Sequence, residues 1–362
     1  MSQSWPSGQP PLRSIRVLVP GTTGRFRCGG LLVELQTARL LAEIARVEVV
    51  TYRQREPDHP FLADLLEAEP PGLTGRDPLW LVSWGFDVPR LLRRLQGRVT
   101  AYHAHSSGYG FDLPPGVPVL AVSRNTLGYW GDRAPRNPLV LVPNALEPQW
   151  LERGGRADHR QRPIDVLVQQ RKTSAYVLQQ LVPALQQRGL RVEVQSGWVD
   201  DLVDLFNSAK VYLYDSAPYW RGRGVSEGFG LPPLEALACG CVVFSSFNHA
   251  LADSLDPGRM AHQLGFGCLA ADLERIEAAV HAPAEWRPDG ERLETLLAES
   301  AEPLLMRRWQ EALALVNQHW DRRAAGEPPL RMPVIRPWPL QRVRQRLASR
   351  LADWAWGVGL RR

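Results

Sequence analysis

The sequence predicts an α/β protein of two successive domains, each a parallel sheet covered by helices on both faces, with a cleft between them. Three observations carry that reading. Short apolar strand-like runs alternate with helix-like runs through residues 15–150, a polar Arg- and Gly-rich stretch interrupts the pattern at Glu152–Pro163, and the alternation then starts again. Strands that alternate with helices imply parallel pairing, because a parallel neighbour needs a crossover connection. A length of 362 residues fits two domains of ordinary size, and a 44 % hydrophobic content can fill two cores.

The elements follow in order. Ile15–Val19 (IRVLV) has the composition of a short buried strand and runs into a glycine-bearing loop, Gly21–Gly30. A helical run, Leu31–Ala45, precedes a second strand, Val47–Tyr52. Further strands are predicted at Leu79–Trp84, Val99–His103, Val117–Val122 and Leu139–Val142. After the linker, strands are expected at Asp165–Gln169, Arg191–Gln195, Val211–Tyr214 and Val242–Ser245, and helices at Tyr176–Arg188 and Val199–Ser208. Helical patterns return at Ala270–His281 and Met306–Trp320. Domain boundaries are set at 1–150, 151–325 and a basic tail, 326–362.

Composition excludes several classes. No apolar run reaches the ~18 residues that span a bilayer. The N-terminus MSQSWPSGQPPLRS has no apolar core of a secretory signal. Cys28, Cys239, Cys241 and Cys268 have neither zinc-ligand nor disulfide-framework spacing, and read as small buried hydrophobes of a reducing compartment. Residues 331–362 hold eight arginines and one aspartate, +7, so the other 330 residues carry 5 − 7 = −2 of the total +5. The body therefore has no nucleic-acid signature.

The stretch 224–240, GVSEGFGLPPLEALACG, sets Glu227 and Glu235 eight positions apart. The strand Val211–Tyr214 ends in a long polar loop that tightens at Gly228-Phe229-Gly230 and enters a helix at Leu231-Pro232-Pro233. Glycines let backbone amides approach a ligand, and proline suits the first helical positions. A helix that begins there aims free N–H groups at the carboxyl edge of the sheet, where open α/β sheets bind anions. Glu227 before the turn and Glu235 in the first helical turn then offer acceptors for hydroxyls on either side of a diphosphate. An acid in a first turn alone is ordinary dipole compensation, and Gly-Phe-Gly alone is a turn; their succession after one strand is what points to a ligand.

SEGFGLPPLEALACGCVVFSS resembles the donor-site signature of retaining glycosyltransferases of the GT-B fold, in the family called glycosyl transferases group 1. GWVDDLVDLFNSAKVYLYDS, AVSRNTLGYW, LVPNALEP and CGGLLVELQTARLLAEI resemble further segments of that family in the right order. The likeness runs from about residue 15 to 320 and is strongest over 197–246. It implies a GT-B fold, two Rossmann-like domains facing a central cleft, and transfer of a sugar from a nucleotide diphosphate sugar to a hydroxyl acceptor such as a glycan or glycolipid of cell-surface polysaccharide. By the same resemblance Glu227, Lys172, Arg171 and His103 are the catalytic candidates, with His105 the alternative to His103. Glu235, Gly228, Phe229, Gly230, Leu231, Gly29, Gly30 and Gly197 are the donor-binding candidates. Neither a metal nor a cofactor beyond the nucleotide sugar is implied. The adjacency of Arg171 and Lys172, the inserted loop Ala217–Val225, and Phe247-Asn248-His249 and Asp253 depart from the family pattern.

Other classes fit less well. A nucleotide-dependent oxidoreductase would carry G-x-G-x-x-G after the first strand, and PGTTGRFRCGG does not supply it. A non-catalytic nucleotide-sugar-binding protein of the same fold is disfavoured by the intact glutamate pair and favoured by the altered cation loop. In the tail, Leu340, Val343, Leu347, Leu351 and Trp354 form an apolar stripe with Arg342, Arg346 and Arg350 on other faces. Residues 338–362 suit an anionic membrane surface, or a helix packed back on the N-terminal domain. The expected location is the cytoplasm or the inner face of the cytoplasmic membrane.

Overall fold

The protein is described from a computed structural model. It covers residues 12–330, apart from 76, 156–157, 159–160, 256–258 and 266–267, and residues 343 and 347. The expectations for the rest of the tail, with Arg342, Arg346, Arg350 and its tryptophans, lie outside the described residues. Residues up to Pro329 form one compact unit containing two sheets.

The first sheet holds β1 (Ile15–Val19), β2 (Val47–Thr51), β3 (Leu79–Val82), β4 (Thr100–Ala104), β5 (Val119–Ala121) and β6 (Leu139–Leu141) in the order β2-β1-β3-β4-β5-β6. The second holds β7 (Ile164–Gln169), β8 (Val192–Gln195), β9 (Ala209–Tyr214), β10 (Val242–Ser245) and β11 (His262–Gln263) in the order β11-β10-β9-β7-β8. Every pairing is parallel. The alternation of the sequence has become two doubly wound sheets. Each has a point where successive crossovers leave in opposite directions, between β1 and β3 and between β7 and β9.

Side chains alternate between the faces of a strand, so a run apolar throughout feeds two cores. Ile15, Val17 and Val19 enter one cluster with Leu79 and Leu81, while Leu18, Trp80 and Val82 enter another. In the second sheet Val166, Val168, Val211 and Leu213 face one way, and Leu167 and Tyr212 the other.

The last long helix, Glu302–Ala324, belongs to the first core. Trp309, Val316 and Trp320 pack with Ile15, Leu81 and Leu120, and the Trp320 indole donates to the Thr100 carbonyl at 3.0 Å. No helix among the described residues is long and apolar enough to cross a membrane. Of the cysteines, Cys239 and Cys241 are buried as expected. Cys28 is only half-buried and Cys268 is exposed, because both stand at the point of entry to a helix.

Candidate active site at the seam of the two sheets

The loops that leave β7 and β9 flank the switch point of the second sheet, where an open α/β sheet leaves room for a ligand. β7 delivers Lys172, the one non-glycine residue with positive φ among the described residues, at +69°. A left-handed lysine costs roughly 1–3 kcal/mol, and such strain concentrates where a side chain must be aimed. Its ammonium lies 4.0 Å from Glu227 Oε1 and 4.5 Å from the centre of the Trp220 ring. Arg171 beside it is exposed and stands outside this cluster.

β9 delivers the rest. Glu227 is 6 % exposed. Its Oε2 accepts from the Tyr214 hydroxyl at 2.5 Å and the Trp220 indole at 2.6 Å. The carboxylate and burial together push the Tyr214 phenol well above its ordinary value, burial being the larger cause. Trp220 comes from the inserted segment, which forms a short helix, Ala217–Arg221. The insertion thus places an aromatic ring against both Lys172 and Glu227.

The glycine turn has two distinct jobs. A Cβ on Gly228 would fall 1.5 Å from the His105 carbonyl oxygen, and Gly230 has φ +88° as it enters the helix Leu231–Ala238. Among the described residues the buried amides of Gly228, Phe229 and Gly230 donate to no backbone carbonyl. Phe229 is 7 % exposed and joins the apolar cluster behind the turn, and Leu231 is the first helical residue. Glu235 is the fifth helical residue, not a first-turn acid, because Gly230 closes the loop and only Leu231 opens the helix. Its half-buried carboxylate has no hydrogen bond or ion pair among the described residues. Desolvation, with Glu147 adding, pushes it up to about 8.

The first sheet meets this edge from the other side. Ser107 Oγ lies 2.7 Å from Ser226 Oγ, Ser106 Oγ donates to the Ser226 carbonyl, and Asn125 Nδ2 to Ser226 Oγ at 3.2 Å. The Arg124 amide donates to Asp253 at 2.7 Å. Arg27 stacks over the exposed Trp198 at 5.0 Å. Trp198 follows Gly197, which takes φ +82° beyond β8.

Two sequence expectations change here. Gly29 and Gly30 are not loop residues; they open the helix Gly29–Leu41, with Cys28 before them. His103 is 1 % exposed and turned into the core near Trp309, whereas His105 keeps 21 % side-chain exposure beside the Gly228 turn. Of the two histidines, His105 is therefore the one able to reach a ligand at the seam. Glu34, Tyr214 and Trp220 are site residues that the sequence did not single out. A cleft of 490 Å³ lies elsewhere, at the amino edge of β1–β3, but Arg16 there pairs with Glu48 and Glu69, and its charges are spent internally.

No protein-family model and no curated protein matches the sequence. Solved structures do. A sucrose-phosphate synthase from Thermosynechococcus elongatus superposes with a TM-score of 0.57 at 15 % identity, over 87 % of this chain and 100 % of that one. The fold is GT-B. A glycosyltransferase from Rickettsia africae ESF-5 shares it with a TM-score of 0.57 at 10 % identity, over 84 % and 98 % of the two chains. A lipopolysaccharide outer core galactosyltransferase does so with a TM-score of 0.53 at 11 % identity, over 83 % and 99 %. The GT-B fold accounts for the two parallel sheets that meet at their carboxyl edges.

Proposed function

We propose that the chain is a glycosyltransferase that moves a sugar from a nucleotide diphosphate sugar to a hydroxyl of a glycan or lipid-linked glycan, with retention at the anomeric carbon. The observation that carries this is the meeting of Lys172 and Glu227 across one switch point, with the unpartnered Glu235 carboxylate on the helix that follows. The strained Lys172 would neutralise charge on the departing diphosphate, which is the main electrostatic demand of the reaction. The free amides of the 228–230 turn would donate to the same oxygens. Glu227 Oε1 is left for a sugar hydroxyl, since Oε2 is occupied. Glu235 would accept from a ribose diol. The departing phosphate can take the acceptor proton, so no side-chain base is demanded. On this reading the donor is the only small-molecule partner, with neither metal nor cofactor. Residues 151–301, which carry the second sheet, are the donor side, and residues 1–150 with the helix Glu302–Ala324 packed on them are the acceptor side. The protein works in the cytoplasm or against the inner face of the membrane through residues 338–362.

A second reading, a non-catalytic nucleotide-sugar-binding protein, is favoured by one observation: Trp220 already lies against both Lys172 and Glu227. Thermal shift with UDP-, GDP- and ADP-sugars, followed by release of free sugar, separates the two. Binding with slow sugar release supports transfer chemistry; binding with none supports the second reading. No shift with any of them would overturn both.

A further inference from the structure

Glu34 is fully buried on the helix Gly29–Leu41, 69 residues from His103. His103 and His105, two apart at the end of β4, share a face of the strand. Both reach the same carboxylate oxygen. His103 Nδ1 lies 2.8 Å from Glu34 Oε1, and His105 Nε2 hydrogen-bonds to that oxygen as well. The rings lie 4.1 Å apart at 57°.

An ionised carboxylate only accepts hydrogen bonds, so both ring nitrogens that face it must carry protons. Glu34 Oε1 faces a ring nitrogen of each histidine at hydrogen-bond distance, the arrangement of a carboxylate that accepts from both. Burial lowers His103, which favours its neutral form. His103 is then protonated on Nδ1, and its enclosed, partnerless Nε2 is a lone pair. His105 in its neutral form carries its proton on Nε2. Its Nδ1, with no partner among the described residues, is not enclosed, and its own carbonyl touches the Gly228 turn.

We infer that Glu34 is a positioning residue: it locks the two histidines in opposite tautomers, so that His105 presents the Nδ1 lone pair, a hydrogen-bond acceptor, at the seam. The natural partner is a sugar hydroxyl, a point that rests on the glycosyl-transfer reading; the tautomers do not rest on it. A histidine aimed by a buried carboxylate keeps one ring nitrogen defined for its ligand.

Nitrogen-15 NMR of the full chain with labelled histidine tests this directly. The expected spectrum shows His103 as the Nδ1–H form and His105 as the Nε2–H form. In Glu34→Gln, whose amide can donate as well as accept, His105 should become a mixture of tautomers. Glu34→Asp, which keeps the charge, should restore the Nε2–H form and also covers the case in which Glu34→Gln does not fold. A wild-type His105 protonated on Nδ1, or tautomers unmoved by Glu34→Gln, would overturn the inference. So would a stoichiometric divalent metal in the purified protein, because two imidazoles and a carboxylate within 4.8 Å of one another could also be ligands. With an accepted nucleotide sugar, Glu34→Gln should lower kcat roughly tenfold, the scale of one misplaced hydrogen bond, at nearly constant KM. If the wild type binds no nucleotide sugar, the functional reading fails while the tautomer result stands.

Discussion

The two carboxyl edges that meet at the seam treat their polar groups differently. On the first sheet nearly every acid is spoken for: Glu34 by two histidines, Asp87 by Tyr52 and Arg53, and Glu56 by Thr22 and Thr23. On the second, among the described residues, Glu235 has no hydrogen bond or ion pair and the 228–230 amides lack backbone partners, and Lys172 is held in a strained conformation beside a carboxylate 4.0 Å away. The first edge is not fully satisfied either, since Glu34 Oε2, His103 Nε2, Thr51 Oγ1 and Ser83 Oγ are enclosed without a partner among the described residues; the contrast lies in the charged groups of the second edge. The difference separates an edge that orients its side chains from an edge that waits for charge.

The largest expected effect probes the contact between the edges. Gly228→Ala would drive a methyl into the His105 carbonyl, backbone against backbone, and should cost about 3 kcal/mol by denaturant unfolding. Gly29→Ala meets nothing within 4 Å and should stay within about 1 kcal/mol of wild type or gain stability. Equal outcomes for the two glycines would mean that the seam is not closed in solution.

Removing the cation comes next. Lys172→Ala should lower kcat roughly 10²–10³-fold with a smaller change in stability, as measured by single-turnover kinetics. Unchanged turnover would place the charge compensation outside the β7 loop.

The smallest effect concerns Glu235. Its ordinary value of 4.5 is raised to about 8 in the folded chain, so between these limits the folded state holds more protons than the unfolded one. Stability should therefore fall as pH rises from 4.5 to 8, by a fraction of the ~1.4 kcal/mol per pH unit that a fully enclosed group would give, since Glu235 is only half-buried. Glu235→Gln should remove that slope in melts across the range while weakening nucleotide affinity. A slope retained in the variant would assign it to another group.

Much of this was legible because strands buried on both faces must be apolar throughout: ten of the strands lie where Val-, Ile- and Leu-rich runs predict them. The eleventh, His262–Gln263, has two residues and no apolar pattern to announce it. The glycine turn and both glutamates of the 224–240 stretch stood out because their spacing is local, whereas Lys172, far earlier in the chain, stood out only through the family resemblance. Glu34 was not. A glutamate within a helical run has the pattern of a solvated face, and its burial depends on β4 arriving from far along the chain. Trp220 escaped for a related reason. An insertion shows as extra length, while its effect depends on where the short helix Ala217–Arg221 folds back.

The helix Glu302–Ala324 has a consequence for how the chain acquires its shape during synthesis. Trp309, Val316 and Trp320 complete a core begun by Ile15, Val17 and Leu31, so one face of the first sheet stays only partly covered until the helix Glu302–Ala324 has been made. The second sheet is encoded inside that interval and can close around its own apolar residues first. A chain that stopped before residue 302 would keep Lys172, Glu227 and Glu235 and lack part of the cover on the first sheet.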